Sequence, residues 1–167
     1  MTTKIRADHV GSLLRPSALL SARAEFAEGR IDSAGLRAAE DAAITQALAM
    51  QQQAGLRIYS DGEYRRRSFL SELAAATDGF TEGHSDMLWH GDNSQPDMQS
   101  SSKIVGGPLR KRRRMTADEV AFLSRHAPGA YKATVPDLSY FPLSSWQPDV
   151  SGKAYPRRTD MLDDLAD

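Results

Sequence analysis

The chain has 167 residues, 40% hydrophobic and 26% charged, and its 21 basic side chains almost balance 22 acidic ones, for a formal net charge of −1. That length and composition suffice for a hydrophobic core, which excludes wholesale disorder, while near-neutrality speaks against a dedicated nucleic-acid or anionic-membrane binder. The absence of cysteine removes disulfides, a thiol nucleophile, iron–sulfur clusters and any cysteine-containing zinc site built from this chain alone.

The N-terminus carries no apolar leader, and no stretch approaches the roughly 18 apolar residues of a membrane span. A cytoplasmic protein with neither membrane nor nucleic-acid partner is the expectation. Ile5–Ser12 reads as a short strand ending in Gly11-Ser12, and Pro16 stops regular structure there. A helix is expected from Ser17 to Glu28, closed by Gly29. Asp32 or Ser33 then caps a long helix running to Ala54, because Leu36, Ala39, Ala43, Ala47, Met50 and Ala54 recur every three or four residues and Gly55 follows.

Leu56–Ser60 is a second strand, ending in Asp61-Gly62-Glu63, and a helix is expected from Tyr64 to Ala76. Residues 78–102 are polar and rich in glycine and serine, and form a long irregular excursion with hairpin character. Lys103-Ile104-Val105 makes a third strand, before Gly106-Gly107-Pro108 and the basic run Arg110–Arg114. Thr116 and Glu119 have capping-box spacing at the head of a helix reaching His126. Tyr131–Val135 is a fourth strand, and Thr159–Asp167 a last amphipathic helix.

Strands alternating with helices point to an α/β fold with about four parallel strands, and ligands of such folds bind at the C-terminal strand ends. His9, Gly11 and Ser12 follow the first strand, Asp61 and Glu63 the second, Asp137 the fourth. A complete (β/α)8 barrel typically takes about 250 residues and eight strands, and this chain supplies half of that count.

The stretch Arg6–Pro16 resembles the opening strand of the catalytic barrel of cobalamin-independent methionine synthase and its shorter bacterial relatives. Leu56–Glu63, Lys103–Pro108 before Met115-Thr116, and Lys132–Pro136 agree with that family in order and spacing. The resemblance implies residues 1–167 form the N-terminal half of a TIM barrel. It further implies a zinc enzyme that moves a methyl group from a methyl-tetrahydrofolate to the thiol of homocysteine, the metal holding the sulfur as a thiolate. By the same resemblance Ser12 and its adjoining backbone take the amino-acid carboxylate and Glu63 takes the ammonium group, with His9 and Asp61 beside them. The family's zinc ligands, two cysteines with a histidine and a glutamate, have no counterpart here. His9, His84, His90 and His126 are scattered, so no metal site and no catalytic residue are assigned to this chain.

Plainer readings stand beside these. Glu63 can cap the next helix or pair with Arg65, Arg66 or Arg67; Ser12 can be a turn residue; His9 can bond backbone. Arg110–Arg114 reads as a solvated loop before the helix or, more sharply, as a site that attracts anions such as the polyglutamate tail of a folate, while the lack of interleaved aromatic residues speaks against base stacking on nucleic acid. Trp89 and His90 are candidates to cover a pocket, whereas Tyr140, Phe141 and Trp146 read as core or lid packing. Two functional classes follow. In one, the chain is a truncated, by itself inactive, piece of a methionine-synthase-like methyltransferase that uses homocysteine or another thiol and a methylated folate. In the other, it is a binding or assembly half-barrel that forms a homodimer or pairs with a missing second half, because its edge strands lack partners.

Overall fold

The computed structural model describes residues 9–68, 71–89 and 98–167, with the backbone alone for 85–89 and 98–102. Helix α1 (Ser17–Ala27) begins on Pro16, held in extended conformation, and stops where Gly29 turns left-handed at φ 73°. Helix α2 (Ser33–Gln53) is capped by Asp32, whose carboxylate accepts from the Gly35 amide at 2.8 Å. The three- and four-residue spacing of its small apolar residues then sets its buried face. Ala43, Ile44, Ala47 and Leu48 pack with Leu19 of α1, with Tyr59 and Tyr64, and with Phe122 and Leu123.

After α2 the chain enters strand β1 (Ile58–Tyr59). Strands β2 (Thr77–Trp89) and β3 (Met98–Lys111) follow a short helix α3 (Ser71–Ala76), and helix α4 (Ala117–His126) precedes strand β4 (Ala130–Tyr131). β1 and β4 pair in parallel, Ile58 opposite Ala130 and Tyr59 opposite Tyr131, and the Lys132 amide extends the pairing to the Tyr59 carbonyl at 2.9 Å. Phe122 and Leu123 seat α4 on the α1–α2 core.

By its internal contacts the chain divides into two compact units, Met1–Arg67 with Thr116–Thr134, and Ser68–Met115 with Val135–Asp167. The second unit is built on the antiparallel β2–β3 hairpin. Asp78 faces Arg110 and Phe80 faces Val105, so Gly79 opposes a four-residue bulge at Gly106–Leu109. The bulge accommodates Pro108, which has no ladder amide to give, and requires glycine at 79, where φ is +100° and a Cβ would lie 2.5 Å from the Pro108 carbonyl oxygen. It also turns Leu109 inward. After a 3-10 turn at Leu138–Tyr140 come three short helices, α5 (Phe141–Ser144), α6 (Pro148–Ser151) and α7 (Leu162–Ala166). Phe141, Tyr155, Met161 and Leu165 close on Val105 and Leu109, and the Tyr155 hydroxyl accepts from the Leu109 amide at 2.7 Å.

Several expectations change. The mixed α/β character holds, but of the four strands read as parallel only β1 and β4 pair that way, and each is two residues long. Lys103–Val105 belongs to an antiparallel hairpin, because the polar stretch before it folds back rather than crossing over. The hairpin also runs wider than 78–102, from Thr77 to Lys111. The first half of the expected strand, residues 5–8, lies outside the described residues, and its described end, His9–Ser12, is not in a strand. The expected helix Tyr64–Ala76 differs: residues 62–65 form a turn, and among the described residues of that stretch only Ser71–Ala76 is helical. The last helix shortens to Leu162–Ala166. Arg110 and Lys111 sit in β3 rather than in a loop; further along the run Arg112 pairs with Asp78 at 3.4 Å and Arg113 with Glu72 at 3.3 Å. Tyr140 and Trp146 are half-buried and Phe141 is core, as packing residues should be. His90 lies outside the described residues.

Candidate functional site

The polar residues of interest gather on the turn that follows β1. Helix α2 fixes its start. Gln51 of α2, 2% exposed, donates to the Ser60 carbonyl at 2.9 Å and accepts from the Ser60 amide at 3.0 Å, so a buried side-chain amide does the work of a neighbouring strand. Inside the turn, the Ser60 hydroxyl accepts from the Gly62 amide at 3.2 Å, and the Asp61 carboxylate accepts from the Glu63 amide at 2.9 Å. Gly62 and Glu63 are both left-handed, at φ 68° and 58°. Glu63 is the one non-glycine residue with positive φ among the described residues, a conformation that costs of order 1–3 kcal/mol unless its surroundings hold it.

Those surroundings are a ring of arginines on the turn's backbone. Arg15 donates to the Glu63 carbonyl at 3.2 Å and the Arg66 carbonyl at 2.9 Å, and Arg23 of α1 donates to the Tyr64 and Arg66 carbonyls. The Leu13 amide bonds the Gly62 carbonyl at 3.1 Å, and the Tyr64 hydroxyl donates to the Leu14 carbonyl at 2.9 Å. Residues 9–15 therefore lie along the turn, and Lys132, just past β4, ties down their near end through the His9 carbonyl. Arg65 turns away to Asp41 and Glu40 of α2, at 2.7 and 3.6 Å, with its guanidinium 4.9 Å over the Phe122 ring. Burial raises the Glu40 carboxyl above its ordinary range, against the opposing pull of Arg65 and Arg23.

Beneath the turn sits a buried ionic cluster. Asp61, Glu63, Arg66 and Glu119 are all less than a tenth exposed. Arg66 Nη2 bonds Glu119 at 3.0 Å and also the Thr134 carbonyl, while Nη1 faces Glu63 Oε2 at 3.9 Å. Burial, followed by the charge of Asp61, pushes the Glu119 carboxyl up to about 7 against the lowering effect of Arg66.

Of the residues singled out from the sequence, His9, Asp61 and Glu63 are brought together. The His9 ring reaches the Gly11 carbonyl at 2.8 Å and lies 3.4 Å from the Ser60 hydroxyl. Ser12 is exposed on the same strip. Asp137 sits in the other unit, where it caps the Leu138–Tyr140 turn through the Ser139 amide. The capping box is not made: Thr116 gives no side-chain cap and Glu119 is spent on Arg66. Arg66 was visible only as a possible partner of Glu63, and Gln51, Lys132 and Arg15 carry no local signal at all. Among the described residues no group of three or more His, Asp or Glu side chains is placed to hold a metal ion, and no helix is long and apolar enough to cross a membrane.

Comparison with known proteins gives the fold a context. The chain superposes on a Listeria monocytogenes protein proposed to be a vitamin-B12 independent methionine synthase, with a TM-score of 0.65 and 23% identity over 99% of this chain and 50% of that one. The fold is shared with methionine-synthase-like proteins. A B12-independent methionine synthase from a Shewanella species, solved in complex with selenomethionine, superposes with the same TM-score at 19% identity over 82% of this chain and 38% of its own. In sequence, the uncharacterized Bacillus subtilis proteins YxjH and YxjG are 39% and 36% identical over 74 residues, which is 44% of this chain and 20% of theirs. The chain thus spans about half the length of the Listeria protein and matches a smaller share of the Bacillus ones. No family model matches it.

Proposed function

We propose that the chain is the N-terminal part of a methionine-synthase-like barrel and that the turn after β1 binds an α-amino acid with a sulfur side chain, homocysteine or methionine. Glu63 receives the ammonium group, and the exposed Gly11-Ser12 strip receives the carboxylate, since the neighbouring Leu13 amide is already engaged. The observation that carries this reading is the Glu63 backbone. A carboxylate held in a left-handed conformation, with Arg15 and Arg23 bonded to the main-chain carbonyls around it and Arg66 Nη1 3.9 Å from it, beyond hydrogen-bond length, is kept in place for something other than stability. The selenomethionine bound by the Shewanella protein supports a ligand of this class.

Methyl transfer from a methylated folate would require an ion to hold the thiol as a thiolate. The residues here do not fit a zinc ion: the chain has no cysteine and the described residues hold no ligand cluster. No step through the metal is assigned to this chain, which alone is expected not to methylate homocysteine. Titration calorimetry with L-methionine tests the binding site. Glu63→Gln should weaken affinity by about 10- to 100-fold, the worth of one charge-assisted hydrogen bond; unchanged affinity would remove Glu63 from the site.

A second reading rests on the sheet. A parallel sheet of two strands leaves edges that such sheets normally cover, and Tyr131 on β4 is 39% exposed while Val10 and Leu14 are over 90% exposed. On this reading the chain is a half-barrel that pairs with a separately encoded second half or with itself. Sedimentation at micromolar concentration distinguishes a dimer from a monomer.

A further inference from the structure

The strip Leu13–Arg15 is fastened to the turn after β1 by three different groups. A backbone bond runs from the Leu13 amide to the Gly62 carbonyl at 3.1 Å. Two side chains add to it, reaching in opposite directions. Tyr64 of the turn, 3% exposed, donates its hydroxyl to the Leu14 carbonyl of the strip at 2.9 Å. Arg15 of the strip donates Nη2 to the Glu63 carbonyl at 3.2 Å and the Arg66 carbonyl at 2.9 Å, and so closes over the turn that holds Glu63 left-handed. At the other end of the strip Lys132 donates to the His9 carbonyl. Gly11 and Ser12, both exposed, are thus suspended between two clamps. Stability alone explains the Arg15 grip poorly. Its Nε is buried without a hydrogen-bond partner, which costs desolvation. Its Nη2 also shares the Arg66 carbonyl with Arg23 Nη2 at 3.1 Å, so two like charges meet on one acceptor. Arg23 fastens the turn to α1, whereas Arg15 fastens it to the strip.

Resting on the amino-acid site proposed above, we infer that Arg15 and Tyr64 are positioning residues that fix the gap between Ser12 and Glu63 and so select ligands whose ammonium and carboxylate groups share one carbon. The Leu13–Gly62 bond lies one residue from each pole of that site. Backbone segments joined in this way run about 5 Å apart, a gap matched to an α-amino acid. A β-amino acid places one more carbon between its charged groups and needs a wider one. The two side-chain ties resist the widening, because the strip cannot leave the turn without breaking part-buried hydrogen bonds, two of them from a charged donor. Neither side chain touches the ligand; each acts through the backbone it holds.

Titration calorimetry of the full chain tests this with two ligands, L-methionine and L-β-homomethionine, which has one methylene between the amine-bearing carbon and the carboxylate. The unsubstituted chain should bind L-methionine more tightly by about tenfold or more. Arg15→Met should lower that ratio by about tenfold, and Tyr64→Phe, which deletes one oxygen from a buried ring and leaves its packing, by about threefold. Arg15→Lys keeps a cationic donor near the carbonyls and should recover part of the preference. A merely structural loss would weaken both ligands equally and leave the ratio where it was. A ratio unchanged in Arg15→Met and Tyr64→Phe, or no preference in the unsubstituted chain, overturns the inference and leaves the amino-acid site standing. Where Arg15→Met does not fold, Tyr64→Phe and Arg15→Lys decide by the same ratio. Absence of methionine binding by the unsubstituted chain instead overturns the site itself, and the inference with it.

Discussion

The two compact units bury their side chains in opposite ways. Under the β2–β3 bulge the interior is apolar: Phe141 meets Phe80 edge-on at 6.2 Å, and Val105, Leu109, Met161 and Leu165 fill the space around them. One polar side chain there, Tyr155, is fully used, its hydroxyl accepting from the Leu109 amide and donating to Asp164 at 2.5 Å. Under the β1 turn the interior is ionic, with a left-handed glutamate, a guanidinium nitrogen without a hydrogen-bond partner and a Glu119 carboxyl that burial pushes up to about 7. Hydrophobic burial stabilises, whereas burying charge costs desolvation that pairing barely returns. The second arrangement carries a cost that the proposed amino-acid site would account for.

The sharpest way to break this contrast is to truncate the centre of each interior. Phe141→Ala should cost about 3–5 kcal/mol through lost contacts and a cavity, and Arg66→Met about as much through unpaired buried carboxylates. Urea unfolding checks both. The difference is in the rescue: Arg66→Met should recover stability at acid pH, where the carboxyls are protonated, while Phe141→Ala should not.

A second, smaller effect is the pH dependence of the intact chain. The Glu119 carboxyl is raised from about 4.5 to about 7, so the folded state prefers the protonated form. Its contribution is fully present below about pH 4.5 and is lost as the pH rises through about 7. Amide hydrogen exchange at Gln51, Tyr59 and Leu123 should therefore quicken from pH 5 to 7.5 beyond the intrinsic rate, and Glu119→Gln should flatten that trend. An unchanged slope in the variant would show that Glu119 is not the responsible group.

The smallest effect sharpens the assignment of Glu63. Glu63→Gly and Glu63→Ala both remove the carboxylate and should lose methionine affinity alike. Only glycine relieves the left-handed backbone, so the glycine variant should be more stable than the alanine variant by about 1 kcal/mol. Equal stabilities would mean that φ at 63 is not strained.

Much of the first unit could be read locally. Asp32, the apolar spacing of α2 and Gly55 agree with one another, and the helix appears at Ser33–Gln53 as those signals require. The Asp61-Gly62-Glu63 turn also announced itself, because glycine at 62 and an aspartate before it suit a tight turn, although nothing local marked Glu63 as left-handed. Glu119 was misread for an equally local reason. Its spacing from Thr116 fits a capping box, but Arg66, 53 residues earlier in the chain, offers a buried charge that outweighs one exposed helix amide. Strand direction was misread at Lys103–Val105, since a strand's own residues do not say whether its partner runs parallel, and here the bulge at Gly106–Leu109 belongs to a hairpin.

The sequence by itself determined the three long helices, where the tight turn falls, and that no cysteine chemistry is available, because periodicity, capping and composition act within a few residues. Only the tertiary structure decided that Arg66, Glu119, Gln51 and Lys132 converge on that turn, since pairing energies between residues distant in the chain depend on where packing brings them and how much water it removes.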